Sequence, residues 1–328
     1  MRILAFFFFV GAGSTVLYPS VIEDLLHKTQ HSLEQREYVK AFHMLNEAHD
    51  LSPPQSPQRI EVLVALGHFY FQVGSLGDSE GCYRKALQID PYELSALMGL
   101  GDVSFRRGEY LNARHAYERA KKYHPDQSQV YSAIAATFYE RAQNTQALHY
   151  YQKALKIDSR DILSWNNLGI LHYEKFRLEE ALECWKTALR LDRGSVAIHN
   201  NLGILYRDMG KPELSRQHFQ KALMREGDDP AVLSNYANLL FDKRSTEQAK
   251  HYLRLAQKRG KSPVYSNNLA VMERFTKEIL GAGVQYGHTL RDHPGYSNAR
   301  YHSRFFEGRS QKIKDALHPS PLSRSSNR

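Results

Sequence analysis

Nothing in this sequence has the spacing of a familiar reaction centre. It has no G-x-x-x-x-G-K-[ST] phosphate loop, no H-E-x-x-H metal pair and no G-x-S-x-G nucleophile turn. Gly281-Ala282-Gly283 followed by Gly287 misses the dinucleotide-loop spacing by one residue. His27 and His31 stand four apart, a spacing that suits a metal, but two neighbouring histidines on an exposed helix face are ordinarily unliganded. These absences predict a chain with no catalytic role, no cofactor and no metal. Long apolar runs are missing too. Ile3 to Val10 is apolar for only eight residues, and a spanning helix needs about 20. Cysteine is reduced to Cys82 and Cys184.

What the sequence does have is a period. Gly67, Gly101, Ala135, Gly169, Gly203 and Ala237 are each 34 apart, and Ala270 follows after 33. Twelve residues after each comes a second small residue: Ser79, Ala113, Ala147, Ala181, Ser215, Ala249, Ala282. Four later stands a large one: Tyr83, Tyr117, Tyr151, Trp185, Phe219, Leu253, Tyr286. A stride of this length marks stacked helical units, none of which can bury its apolar face alone. The small residues let two helices approach, and the large one fills the space between neighbouring units.

These columns resemble the tetratricopeptide repeat (TPR) family, through Leu66-Gly67-x-x-Tyr70, Trp165-x-x-Leu168-Gly169 and Leu202-Gly203-x-x-Tyr206. The resemblance implies an all-α TPR solenoid, a right-handed superhelix of antiparallel helix pairs. Seven repeats are expected over 60–296, after a divergent first repeat or cap over 21–59 in which Ala41, Leu45 and Ala48 keep the second half of the pattern. Cys82 and Cys184 share one repeat position three units apart. Three layers of about 10 Å separate them by roughly 30 Å, against the 7 Å or so that a disulfide spans, so two separate thiols are expected.

The ends differ from the repeats. Arg2, the apolar run and Gly11-Ala12-Gly13-Ser14 have the layout of a short secretory signal, so residues 1–20 are expected to be a signal peptide or an apolar anchor. A cleaved signal makes the protein exported, periplasmic or secreted; otherwise it is anchored or cytoplasmic. Residues 297–328 read as a basic Ser/Pro/Arg-rich tail. The net charge is +9, and residues 291–328 hold eight basic and three acidic residues, a net of +5. Another basic cluster runs Lys243, Arg244, Lys250, Arg254, Lys258, Arg259, Lys261, read first as a solvated outer face.

Numbering each repeat so that the first small residue is position 8 exposes a second face on the first helices. Position 6 carries Asn167, Asn201, Asn235 and Asn268, and position 5 carries Asn166, Asn200 and Asn267. Position 12 carries Phe71, Phe105, Tyr139, Tyr173 and Phe241, with Arg207 among them. In TPR proteins this face lines the concave groove that receives peptides. Each amide offers donors and an acceptor to a peptide backbone, and the row is similar to the Asn ladder of O-GlcNAc transferases. About 30 residues follow the last repeat, so no transferase domain is expected. Asn before Leu-Gly also serves helix packing in TPR sequences, and both readings of position 6 stand. The carboxylate clamp of TPR co-chaperones is missing at position 5 (Val64, Met98, Ser132) and position 2 (Glu61, Ser95, Gln129). The expected function is a scaffold that binds a protein or extended peptide. Alternatives are an accessory subunit placing a separate enzyme, such as a glycosyltransferase or an envelope-assembly factor, or contact of the basic C-terminal part with nucleic acid or an anionic membrane. Nucleic acid is the less favoured partner, and membrane contact is assigned only to the N-terminal segment or the tail.

Overall fold

The computed structural model describes residues 21–225, 229–275, 285 and 289. Fifteen helices and no strand occur among them. They are α1 (Val21–Glu34), α2 (Tyr38–Leu51), α3 (Pro57–Gln72), α4 (Leu76–Ile89), α5 (Leu94–Arg106), α6 (Tyr110–Tyr123), α7 (Ser128–Glu140) and α8 (Asn144–Ile157). Then follow α9 (Ile162–Glu174), α10 (Leu178–Leu191), α11 (Val196–Asp208), α12 (Pro212–Arg225), α13 (Pro230–Asp242), α14 (Thr246–Arg259) and α15 (Pro263–Phe275). Successive helices pack as pairs, α3 on α4, α5 on α6, α7 on α8, α11 on α12 and α13 on α14. This is the all-α TPR solenoid that the period implies.

Local chemistry sets the helix ends. Asp161 accepts the Ser164 N–H, Asp229 accepts those of Ala231 and Val232, and Ser56 accepts that of Arg59. Each satisfies an amide the first turn leaves without a partner. Pro57 and Pro230 occupy the first helical turn, where a missing N–H costs nothing. Between the two helices of a pair the chain turns through a left-handed residue at one repeat position: Gly74, Gly108, Ala142, Phe176, Gly210 and Arg244. Glycine adopts that backbone freely, whereas Ala142, Phe176 and Arg244 hold it under strain.

The small and large columns interlock as their sizes require. A methyl carbon on Gly67 would stand 2.5 Å from the Tyr83 ring, and one on Gly99 of the next repeat 2.3 Å. Gly101 stands in the same relation to Tyr117, and Gly203 to Phe219. Where the second small residue is serine, it donates to the carbonyl of the first: Ser79 Oγ to Gly67 at 2.8 Å and Ser215 Oγ to Gly203 at 2.6 Å. Ala41, Leu45 and Ala48 are fully buried, so α1 and α2 pack by the same scheme.

A solenoid is expected to be one elongated body, but the chain divides into two compact units, the first ending at Cys184 and the second beginning at Trp185. Each repeat touches only its neighbours, so the stack need not cluster as one unit, and the boundary falls within α10. Cys82 and Cys184 are free thiols, half-buried and buried. One member of the basic cluster departs from the solvated reading. Lys250 is 1 % exposed in α14 and reaches Glu247 at 2.7 Å. Its long stem packs inside while its ammonium meets a carboxylate that is itself exposed. The apolar N-terminal segment, Gly281, Ala282, Gly283, Gly287 and the basic tail lie outside the described residues.

Candidate functional site

The asparagines sit on the first helices of successive pairs. Asn166 and Asn167 stand on α9, Asn200 and Asn201 on α11, Asn235 on α13, and Asn267 and Asn268 on α15. All but Asn267 are half-buried, so their amides border both protein and solvent. In the second unit, Asn235 Nδ2 donates to Asn200 Oδ1 at 3.0 Å. Position 6 of one repeat thus bonds position 5 of the repeat before it. One N–H and the Oδ1 of Asn235, and both N–H groups of Asn200, remain beyond that bond. In the first unit, Asn166 Nδ2 lies 3.5 Å from Asn167 Oδ1 within one helix.

Position 5 behaves differently where it is not half-exposed. Ser132 is buried, donates to Asp161 Oδ2 at 2.5 Å and lies 2.6 Å from Ser164 Oγ. Asp161 also accepts the Ser164 amide that starts α9, at 3.1 Å. One small network therefore fixes the join between two repeats. Ser234 and Asn267 are buried as well, and Asn267 Oδ1 has no hydrogen-bond partner among the described residues. Asn267 consequently stands in the packed interior and not on the face its column suggested.

One member of the aromatic column departs in the same way. Phe71 is buried among Leu63, Val64 and Val103, with the Arg106 guanidinium 4.6 Å from its ring centre. Phe105 is half-buried edge-on to Tyr110, and Phe241 packs on the α13–α14 core. Tyr139 donates to the carboxylate of Glu174. Arg207 bonds Asp208 at 3.0 Å and lies 3.9 Å from Asp242. Tyr173 is half-buried on α9. A rule emerges that the columns alone did not reveal. Position 12 of one repeat reaches position 13 of the next, as in Phe71–Arg106, Tyr139–Glu174 and Arg207–Asp242. Position 13 is itself acidic and exposed in four consecutive repeats, at Glu140, Glu174, Asp208 and Asp242. The signal was a second column one residue from the aromatic one.

No group of three or more His, Cys, Asp or Glu side chains is arranged for a metal among the described residues. His31 lies 2.8 Å from Gln35, its neighbour one turn on. None of the described helices is long and apolar enough to cross a membrane. The carboxyl most changed in the first unit is that of Asp102, buried in α5. Desolvation pushes its carboxyl up to about 7, against the opposing pull of the Tyr117 hydroxyl that donates to it at 2.6 Å. It points into the helix stack and reaches no open cleft.

Helix pairs on a stride of 34, interlocked small and large columns and a polar first-helix face define a TPR solenoid, the fold of a protein-interaction scaffold. More narrowly, the chain belongs to the family of the Cilia and flagella-associated protein 70 C-terminal domain, whose model matches residues 22–272. A search of the curated proteins found no match. Among solved structures, pilF of Pseudomonas aeruginosa is 25 % identical, with 66 % of this chain and 97 % of that one aligned at a TM-score of 0.55. An IFIT1 monomeric mutant with Gppp-AAAA is 15 % identical over 92 % of this chain and 74 % of its own, at 0.68. The APC/C hetero-tetramer Cut9–Hcn1 is 16 % identical over 92 % and 61 %, at 0.65. The last two show the shared fold and nothing finer.

Proposed function

We propose that the chain is a non-catalytic scaffold that holds an extended segment of another protein along its first helices, through the segment's backbone. The observation behind this is the Asn200–Asn235 bond, which orients two amides from neighbouring repeats on one half-exposed face. Amides so fixed keep unused donors and an acceptor for a peptide. In the same unit the exposed carboxylates of Asp208 and Asp242 favour a segment carrying lysine or arginine beside that backbone. The family's name points to a ciliary or flagellar assembly as the setting. Placement of a separate enzyme is the same act with a different passenger, and falls within this reading.

The test is a paired substitution. Asn235→Ala alone strands Asn200 Oδ1, whereas Asn200→Ala with Asn235→Ala removes both partners together. The double variant should bind the partner segment about fivefold to a hundredfold more weakly, at roughly 0.5–1.5 kcal/mol for each lost contact. Its melting temperature should stay close to that of the parent. A large fall in melting temperature with binding intact would make these amides packing residues and overturn the reading.

The apolar run at Ile3 to Val10 sustains a second reading of location, an exported form. Intact mass from the native source separates the two. A mature chain starting near Ser14 or Thr15 supports export, and a full-length chain in the cytoplasm overturns it.

A further inference from the structure

The second helices of the second unit carry a site of different chemistry. Between the C-terminal halves of α10 and α12 lies a cleft of about 700 Å³, lined by Lys186, Arg190, Arg193, Lys221 and Arg225. No carboxylate lines it. Leu189, Met224 and His199 complete the wall, and the Met224 side chain is 86 % exposed among these cations. His199 is engaged elsewhere, with its Nδ1 2.9 Å from His218 and its Nε2 3.2 Å from the Arg193 carbonyl. Burial lowers both imidazoles, so the positive charge here comes from the lysines and arginines. The Arg225 guanidinium lies over Gly194, where a side-chain carbon would stand only 3.0 Å away.

A plain account of these cations is that they complement the negative ends of two helices. It serves Arg190 and Arg225, which lie in the last turns of α10 and α12. It does not serve the set. Several cations on second helices are answered by acids: Arg84 by Glu80, Lys121 by Glu118, Lys250 by Glu247 and, in the first half of α12 itself, Arg216 by Glu213. The Arg193, Lys221 and Arg225 side chains have no hydrogen bond or ion pair among the described residues. Cations left unanswered around one cleft repel each other, and an anion would relieve that. The volume lies in the range that takes one small organic ligand. Leu189 and Met224 give it an apolar resting place, and guanidinium forks match phosphate oxygens two at a time.

We propose that this cleft binds a compact, multiply phosphorylated small molecule, with Arg190, Arg193 and Arg225 forked onto its phosphates, Lys186 and Lys221 as point charges, and Leu189 and Met224 against its carbon framework. The site is separate from the first-helix face, and neither reading depends on the other.

Titration calorimetry on the full chain in physiological salt tests it, with ATP, inositol hexakisphosphate, inorganic triphosphate, AMP and a glutamate-rich peptide as probes. ATP or inositol hexakisphosphate should bind at least about tenfold more tightly than AMP, since each added phosphate brings further charge-assisted bonds. Whichever of the two is tighter identifies the framework the apolar wall accepts; triphosphate as tight as both would remove Leu189 and Met224 from the site and overturn that part. Arg193→Glu with Lys221→Glu, both on exposed side chains, should weaken binding about twentyfold or more. Lys211→Glu with Lys258→Glu makes the same change in net charge elsewhere in the unit and should leave binding within about twofold. Equal loss in the two double variants would reduce the effect to net charge and overturn the site. So would no binding by any phosphate, or tighter binding of the glutamate-rich peptide, which would make the cleft a docking place for an acidic protein segment.

Discussion

The two units of this chain use polar chemistry in opposite ways. In the first, the large residue of the repeat is a tyrosine three times over, Tyr83, Tyr117 and Tyr151, each buried. A buried phenol needs a partner, and Tyr117 finds one in Asp102, a carboxyl buried with it. Ser132, Asp161 and Ser164 form another buried network in the same unit. In the second unit the column runs Trp185, Phe219, Leu253, and Phe219 and Leu253 carry no polar atom. There the amides of Asn200 and Asn235 and the cations around Arg193 stand at the surface with capacity left over. The second unit also buries polar groups, among them Ser215, Ser234 and Asn267, and Lys250 is a cation drawn inside beside Glu247. Polar groups satisfied inside a stack specify its joins, whereas polar groups left part-satisfied at a surface are available to another molecule.

The contrast breaks most readily at Trp185, 2 % exposed and the largest of the most deeply buried side chains. Trp185→Ala should cost about 3–5 kcal/mol. Coupling in a repeat stack is between neighbours, so hydrogen exchange should rise across α11 and α12 well before it rises across α1 to α4. Uniform loosening along the whole chain would remove the distinction between the two units.

The next largest effect is a pH dependence centred on Asp102 of the first unit. Asp102 has its carboxyl raised from 3.8 to about 7, chiefly by desolvation, with Tyr117 and Arg106 acting to lower it. The unfolded chain releases this proton near pH 4, while the folded chain keeps it until about pH 7. Stability therefore falls as pH rises through that window, by a few kcal/mol at most. His68 acts in the opposite sense. Burial lowers it from 6.5 to about 4, so its contribution is lost as pH falls from 6.5 towards 4. Below pH 6.5 the Asp102 slope offsets that of His68, while His218, also lowered to about 4 by burial, adds to the histidine side. Asp102→Asn should leave the histidine slope alone, giving a protein whose urea midpoint climbs from pH 4 to 6.5 and then levels, and which gains about 1–3 kcal/mol at pH 8. An unchanged pH profile would mean that this carboxyl is ionised in the fold.

The repeats were legible because their columns obey volume. Gly67 and Gly101 must be small where tyrosine rings lie on them, and that repeats every 34 residues whatever the surrounding sequence. The turns were half legible. Gly74, Gly108 and Gly210 announce a left-handed residue, but Ala142, Phe176 and Arg244 take the same backbone without announcing it. The surface was least legible, because its contacts join one repeat to the next. Asn235 meets Asn200 and Tyr139 meets Glu174 across 35 positions, one more than the period. A column read by itself cannot show that its members bond a neighbouring column, and so Phe71 and Asn267 looked like groove residues although packing buries them. Lys250 illustrates the same limit, since charge predicts solvent and only the packing of α14 places that stem inside.

The smallest expected effect tests whether an exposed residue in the first unit is kept for contact. Phe176 has a φ of 57° and is 89 % exposed, so it combines a strained backbone with an aromatic ring in water. Neither feature helps the fold. Gly74, Gly108 and Gly210 hold the corresponding turn with glycine. Phe176→Gly relieves the left-handed strain and gives back part of that gain through the freer unfolded chain, for a net stabilisation of about 0.5–1 kcal/mol. Phe176→Ala keeps the strain and removes only the ring, so its stability should match the parent. If the glycine variant is more stable and binds the partner segment as the parent does, the first unit carries strain with no role in binding, and the contrast between the units is sharpened. If both variants lose binding by a similar factor, the ring is an anchor, and the first unit shares in recognition that the comparison assigns to the second.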